Sequence, residues 1–207
     1  MPAIRPYHHA NLRKTLLDAA VALIGEVGPR AFTLREVARR AGVSHNAPYR
    51  HFASKDELLV AVAAEGFDRL TEVMLKWMTP ADTARERLVL CGCGYVDFAL
   101  RWPHPLLVMF DLPATERKRA KKHHALGENA FRVLLDCIAA TQQSGDLPAG
   151  DPLPLAWRAW SLVHGIAKLA ISGNLPLSAR ATIDFTRKAA EALFGNMNVA
   201  SAAAARG

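Results

Sequence analysis

The sequence predicts an all-α protein in which a small helix-turn-helix unit is joined by a long helix to a larger helical bundle. Three observations carry this. Apolar residues recur at helical spacing along nearly the whole chain, with almost no strand-like alternation. Two capping boxes, Thr33-Leu34-Arg35-Glu36 and Ser54-Lys55-Asp56-Glu57, bracket a short segment containing a glycine turn. The base excess is also lopsided: by Lys55 the chain has nine Lys and Arg against three acids, whereas the whole 207 residues carry a net charge of +7. Nearly all the net excess of positive charge therefore falls in the first quarter, as a polyanion-binding surface requires.

The elements follow in order. Met1 to His9 is a short basic arm, either a frayed terminus or a segment that reaches a minor groove. Leu12, Leu16, Ala19, Leu23, Ile24 and Val27 form the stripe of a first helix ended by Gly28. Thr33 caps a second helix starting at Leu34. Its buried side is Leu34, Val37, Ala38 and Ala41, and its wet side Arg35, Arg39 and Arg40. It stops at Ala41 or Gly42, where a left-handed residue is needed. Val43 is the apolar pivot, and Ser44 is expected to cap a further short helix running through His51, with Pro48 so near its start that only a marginal backbone bond is lost. Phe52 closes that helix on the core. Ser54 opens the long joining helix, which runs to about Trp77 before Thr79-Pro80.

Beyond it, Thr83 to Arg101 carries Leu88, Cys91, Gly92, Tyr95 and Phe98 and ends at Trp102-Pro103. Pro105 to Phe110 is a short helix, and Thr115 to Ser144 a long one whose basic start reads as a solvated face. After a loop from Asp146 to Pro154, the segment Pro154 to Ser172 is apolar nearly all round. Trp157, Trp160, His164 and Ala167 line one side, and Ala159, Leu162, Ile166 and Leu169 the other. Both sides should be buried, one in the bundle and one against a partner subunit. Ala179 to Phe194 forms the last helix, before an alanine-rich tail. The domain division expected is 1–55 for the helix-turn-helix unit, 56–198 for the bundle and 199–207 for a flexible tail.

The chemistry of residues 33–55 suits a duplex. Polar and basic side chains crowd the outer side of the second short helix, and the positive amino end at Ser54, with Lys55 beside it, suits a backbone phosphate. Leu16 to Leu59 resembles the DNA-binding domain of the TetR (tetracycline-repressor) family. The resemblance is carried by Gly42-Val43-Ser44, Tyr49, His51-Phe52 and Ser54-Lys55-Asp56-Glu57-Leu58, with departures at His45, Asn46 and Pro48, where many relatives have Lys, Gly and Leu. It implies that Thr33, Tyr49, His51 and Lys55, helped by Arg35 and Arg50, hold phosphates. After the Ser44 cap, His45, Asn46 and Ala47 would then face base edges. Trp160, Val163, His164 and Gly165 are similar to the Trp and His-Gly signature of one branch of the family. The family resemblance also implies a four-helix dimer interface from the last two long helices, here Leu162, Ile166, Leu169, Ile183, Ala190, Leu193 and Phe194.

Small-molecule sites are largely apolar with a few polar handles, and Tyr95, Trp102, Met109, Phe110, Phe131, Trp157, Trp160 and His164 could line one. The expected function is a homodimeric, effector-responsive regulator of a palindromic DNA operator, a repressor by preference. An architectural DNA protein is the alternative, as is a metal sensor using His104, His123, His124 and the cysteines. No phosphate loop, His-Glu-x-x-His or Gly-x-Ser-x-Gly occurs, so no catalytic residue, metal or cofactor is expected. Cys91, Cys93 and Cys137 read as core thiols. With no signal-like leader and no unbroken apolar span, a soluble cytoplasmic protein is expected.

Overall fold

The computed structural model describes the backbone of residues 9–111 and 121–204, and the side chains of residues 12–110 and 127–195. The basic arm as far as His8, the run Arg117-Lys118-Arg119, the side chains of Lys121 to His124 and the last three residues lie outside them, and His9, expected in the arm, begins the first helix. All regular structure among the described residues is helical: α1 (His9–Val27), α2 (Leu34–Arg40), a 3-10 turn (Pro48–Arg50), α3 (Lys55–Met78), α4 (Ala84–Arg101), α5 (Pro103–Asp111), α6 (Lys121–Gln143), α7 (Leu153–Ile171) and α8 (Ala179–Ala204).

The chain divides into two compact units, and the division falls inside α3. One unit takes the described residues up to Gly66 together with the segment from His104; the other takes Phe67–Pro103 together with the chain from Ala125. The first unit has as its core Leu16, Leu17, Ala20 and Ile24 of α1, Phe32, Val37 and Ala38 around α2, Phe52, and Leu58, Leu59, Val62 and Ala63 of α3. Helix α5 is seated on this unit by two glycine notches. A Cβ at Gly25 would stand 2.6 Å from Nε2 of His104, and one at Gly66 would stand 2.6 Å from Sδ of Met109. The absence of a side chain at both places lets the helix lie close.

In the second unit α4 packs on α7 and α8. Its buried threonine hydroxyls find carbonyl partners four residues back: Thr141 donates to the Cys137 carbonyl at 2.7 Å, Thr182 to Ser178 at 2.9 Å and Thr186 to Thr182 at 2.8 Å. Cys91, Cys93 and Cys137 are buried free thiols. Burial pushes the Cys93 thiol up to about 11, so at neutral pH it stays protonated and a poor nucleophile. Gly94 is required by close packing, since a Cβ there would meet the Met74 Cα at 2.9 Å and the Trp77 Cβ at 3.1 Å.

Two sequence expectations are corrected. Only Pro48–Arg50 of the segment Ser44 to His51 is helical, as a 3-10 turn with no side-chain cap, so Ser44 does not open a regular helix. Proline has no N–H to offer the Ser44 carbonyl, and that oxygen is taken instead by the Ala47 N–H at 2.9 Å. Helix α8 continues to Ala204 rather than ending near Phe194, because alanine has the strongest intrinsic helix preference and the residues after Val199 are mostly alanine.

Substituting Gly94→Ala should lower unfolding stability by ~1–3 kcal/mol through overpacking against backbone. Gly165→Ala, where an added Cβ meets nothing within 4 Å, should leave it unchanged or raise it by about 0.5–1 kcal/mol. Denaturant melts of the two variants, read by circular dichroism, check the contrast.

Candidate nucleic-acid interface

The outer surface of the first unit is built by two caps and a turn. At the start of α2, Thr33 Oγ1 accepts from the Glu36 N–H at 3.3 Å, while Glu36 Oε2 accepts from the Thr33 N–H at 2.7 Å and the Thr33 hydroxyl at 2.9 Å. The predicted capping box is present and closed. At the other end Gly42 adopts φ +68°, and the Val43 N–H reaches the Ala38 carbonyl at 3.0 Å while the Gly42 N–H reaches Arg39 at 3.2 Å. This is a Schellman turn, which satisfies the last carbonyls of α2 and swings the chain away from its axis. Arg40 forms a two-pronged ion pair with Glu26 of α1, tying the two helices together near the turn.

At α3 the cap is shifted from the expected box. Ser54 Oγ accepts from the Glu57 N–H at 3.2 Å, but the Glu57 carboxylate returns to the Ala53 N–H, at 2.6 Å, instead of that of Ser54. Lys55 is half-buried. Its ammonium donates to the Arg30 carbonyl at 2.9 Å and lies 5.3 Å from the centre of the Phe32 ring. Three N–H donors on that ammonium leave capacity for an incoming phosphate. Arg13 stacks over Phe52 at 5.5 Å and pairs with Glu65 at 3.5 Å.

Thr33, Arg35, Ser44, His45, Asn46, Tyr49 and Arg50 are exposed, and Ala47, His51 and Lys55 are half-buried. Tyr49 is 51% exposed, so it is not a core residue in this unit. Pro48 and Phe52 are the buried anchors between them. Sequence reasoning missed Glu26: nothing in the order of residues pairs it with Arg40, fourteen positions on, before the angle between α1 and α2 is known.

The expected ligand-lining residues are brought together in part. Phe131 of α6 lies 5.1 Å from Trp157 and 5.3 Å from Trp160, and the two Trp rings of α7 stack at 5.6 Å. Such pairs contribute roughly 0.5–1.5 kcal/mol each beyond burial. Beside them the Tyr95 hydroxyl meets Nδ1 of His164 at 2.7 Å, and the Trp160 indole also bonds that hydroxyl. Burial pushes the Tyr95 phenol up, only partly offset by Trp160, and it stays neutral. Trp102 stands apart, packed on Phe98 at 5.6 Å with the Arg69 guanidinium 5.0 Å from its ring. Met109 and Phe110 belong to the first unit.

Of the seven residues expected at a dimer face, Ile166, Ala190 and Phe194 are only 5%, 3% and 2% exposed and belong to the core of their own unit. Leu162, Ile183 and Leu193 are half-buried, and Leu169 is exposed. The sequence reading missed Phe185, an exposed aromatic on α8; its isolation from the apolar stripe of that helix was the available signal. No group of three or more His, Cys, Asp and Glu able to hold a metal occurs among the described residues, and His123 and His124 lie outside them. No helix there is long and apolar enough to cross a membrane.

A glycine-turned pair of helical segments on a basic unit, joined in one chain to an all-helical bundle, defines a helix-turn-helix regulator. The model for bacterial regulatory proteins of the tetR family matches residues 16–62, and that for the tetracyclin repressor-like C-terminal domain matches residues 88–193. The chain belongs to the TetR family of DNA-binding transcriptional regulators. It is 41% identical to the HTH-type transcriptional regulator BetI of Rhizobium meliloti (strain 1021) over 76 residues, 37% of each chain, so the match spans well under half of that relative. It is 24% identical to the fatty acid metabolism regulator protein of Bacillus subtilis (strain 168) over 68% of this chain and 73% of the other. A solved protein of unknown function from Rhodococcus sp. RHA1 superposes with a TM-score of 0.81 at 31% identity, over 94% of this chain and 99% of that one. The Bacillus subtilis regulator FadR, solved with stearoyl-CoA, superposes with a TM-score of 0.75 at 18% identity, over 87% and 97%; that likeness is one of fold.

Acid should loosen this surface in a defined direction. The Arg40 guanidinium holds the Glu26 carboxyl below its usual 4.5, and the Thr33 hydroxyl and N–H do the same for Glu36. A folded-state value below the unfolded one means each carboxylate stabilises the fold above the unfolded value and loses that contribution as pH falls through the folded one. Between pH 7 and about 5 the melting temperatures of the native protein and a Glu26→Ala, Glu36→Ala variant should differ by a constant amount, and the gap should close as pH drops further below 4.5. Thermal melts at a series of pH values measure it.

Proposed function

We propose that this TetR-family regulator is a homodimeric repressor that reads a palindromic operator through residues 44–51 and releases it when an apolar effector enters the second unit. The observation that carries the reading is the exposure of His45, Asn46, Tyr49 and Arg50 on a segment clamped by a Schellman turn on one side and the α3 cap on the other. Preorganised polar groups on a rigid support suit a groove, and the basic excess up to Lys55 supplies the sequence-independent attraction.

Roles divide by chemistry. His45 and Asn46 face base edges, Asn46 pairing with adenine and Ala47 touching a thymine methyl; Thr33, Arg35, Tyr49, Arg50, His51 and Lys55 hold phosphates. A dimer through α7 and α8, using Leu162, Leu169, Ile183 and Leu193 with the exposed Phe185, presents two such surfaces. Half-sites one DNA turn apart, ~34–36 Å, then add their binding energies. The effector sits at Phe131, Trp157 and Trp160, with the Tyr95–His164 pair as its polar end. Because α3 contributes residues to both units, a shift in it links effector and operator through one equilibrium. The stearoyl-CoA bound by FadR makes long-chain acyl-CoA the first probe to offer.

Selection of bound duplexes from a random library, with affinity for the winner compared with random DNA at fixed salt, tests the reading; equal affinity for both would make this an architectural protein. Lys55→Ala should weaken binding to every sequence and reduce the salt slope by about one, whereas Asn46→Ala should cost ~1–3 kcal/mol at a single base pair and leave random binding intact. Phe185→Glu with Leu169→Glu should halve the mass seen by sedimentation and leave half-site binding only. An acyl-CoA that binds, as seen by tryptophan fluorescence, without changing operator affinity would refute the linkage.

A further inference from the structure

Between α2 and α3 the backbone departs from a regular helix around one residue. Pro48 is buried, stands first in the 3-10 turn, and cannot donate to the Ser44 carbonyl as residue four of a helix would. Ala47 takes that oxygen at 2.9 Å, Arg50 bonds Ala47 at 3.3 Å, and the N–H groups of His51 and Phe52 both converge on the Pro48 carbonyl at 2.9 Å. Ala47 is held in the right-handed helical region, φ −60° and ψ −42°, although a following proline disfavours it. The conformation is thus imposed by the seating of Pro48 and the bonds to its carbonyl.

We infer that Pro48 is a positioning residue for base recognition: by replacing a helical turn with a bend and a 3-10 turn it sets how His45 and Asn46 are aimed, and so which bases are preferred. The inference rests on the DNA-binding reading above. The Ala47 N–H on the Ser44 carbonyl closes a four-residue turn with His45 and Asn46 at its two central positions, so their side chains leave the backbone in other directions than on an α-helix of about 3.6 residues per turn. Among the described residues no backbone N–H bonds the carbonyl of His45 or of Asn46, and both residues are exposed. In a continuous helix both oxygens would be consumed by the N–H groups four residues on. Here they add two acceptors to the reading surface, suited to the amino groups of cytosine and adenine that a major groove presents. Pro48 itself is buried and touches no base; it acts through its neighbours.

The test compares native protein with Pro48→Leu, which retains buried apolar volume and restores the N–H, and with Pro48→Ala. Each is taken through duplex selection at one salt concentration, with thermal melts to follow folding. Both variants should select a half-site altered at the base pairs that Asn46→Ala perturbs in the native protein. Their affinity for the native site should fall roughly tenfold or more, while affinity for random duplex and its salt slope stay within about twofold. Selection of the native sequence by folded variants overturns the inference. So does an equal loss on native-site and random DNA, the mark of a purely structural role. A native protein that selects no sequence at all would bring down the DNA-binding reading itself, and is distinguished by that control.

Discussion

The proposed reading surface depends on one backbone constraint, the left-handed residue at the end of α2. Gly42 holds φ +68°, a conformation costing other residues roughly 1–2 kcal/mol, and with it the Val43 N–H can turn back to Ala38. That turn delivers Pro48 and Phe52 to the core and leaves the intervening polar side chains outside. The Thr33–Glu36 box and the Ser54–Glu57 cap act on either side of it, fixing where the flanking helices begin.

Much of the fold was legible because local chemistry and tertiary structure agree. Thr33, Gly28, Gly42 and Thr83 mark boundaries that the structure keeps, since caps and left-handed turns are decided within a few residues. Pro48 was not legible in its full effect. Its missing donor looked harmless so near a helix start, but the carbonyl it would have served was captured by Ala47 and the tighter turn spread from there. The α8 terminus was misread because an alanine run resembles a low-complexity tail as much as it resembles a good helix.

The candidate sites were legible in kind rather than in membership. Burial separates Ile166, Ala190 and Phe194 from Leu169 and Phe185, yet all are apolar and helical, and periodicity assigns a stripe without saying what covers it. In the same way Met109 and Tyr95 both read as pocket residues, though compactness puts them in different units. The Trp160–Tyr95–His164 chain is the part no pattern could supply. It brings polar groups from two helices together beside an otherwise apolar cluster.

The seat of α5 on Gly25 and Gly66 has a consequence for engineering. Leu106, Val108 and Met109 are buried at 0–2% exposure within the first unit, although they follow α4 in the chain. The module that a designer would transplant is therefore discontinuous. A chimera spliced after residue 66 would leave an apolar scar where α5 belongs, and exchange of the first unit between relatives calls for carrying the His104–Asp111 stretch along as a second graft.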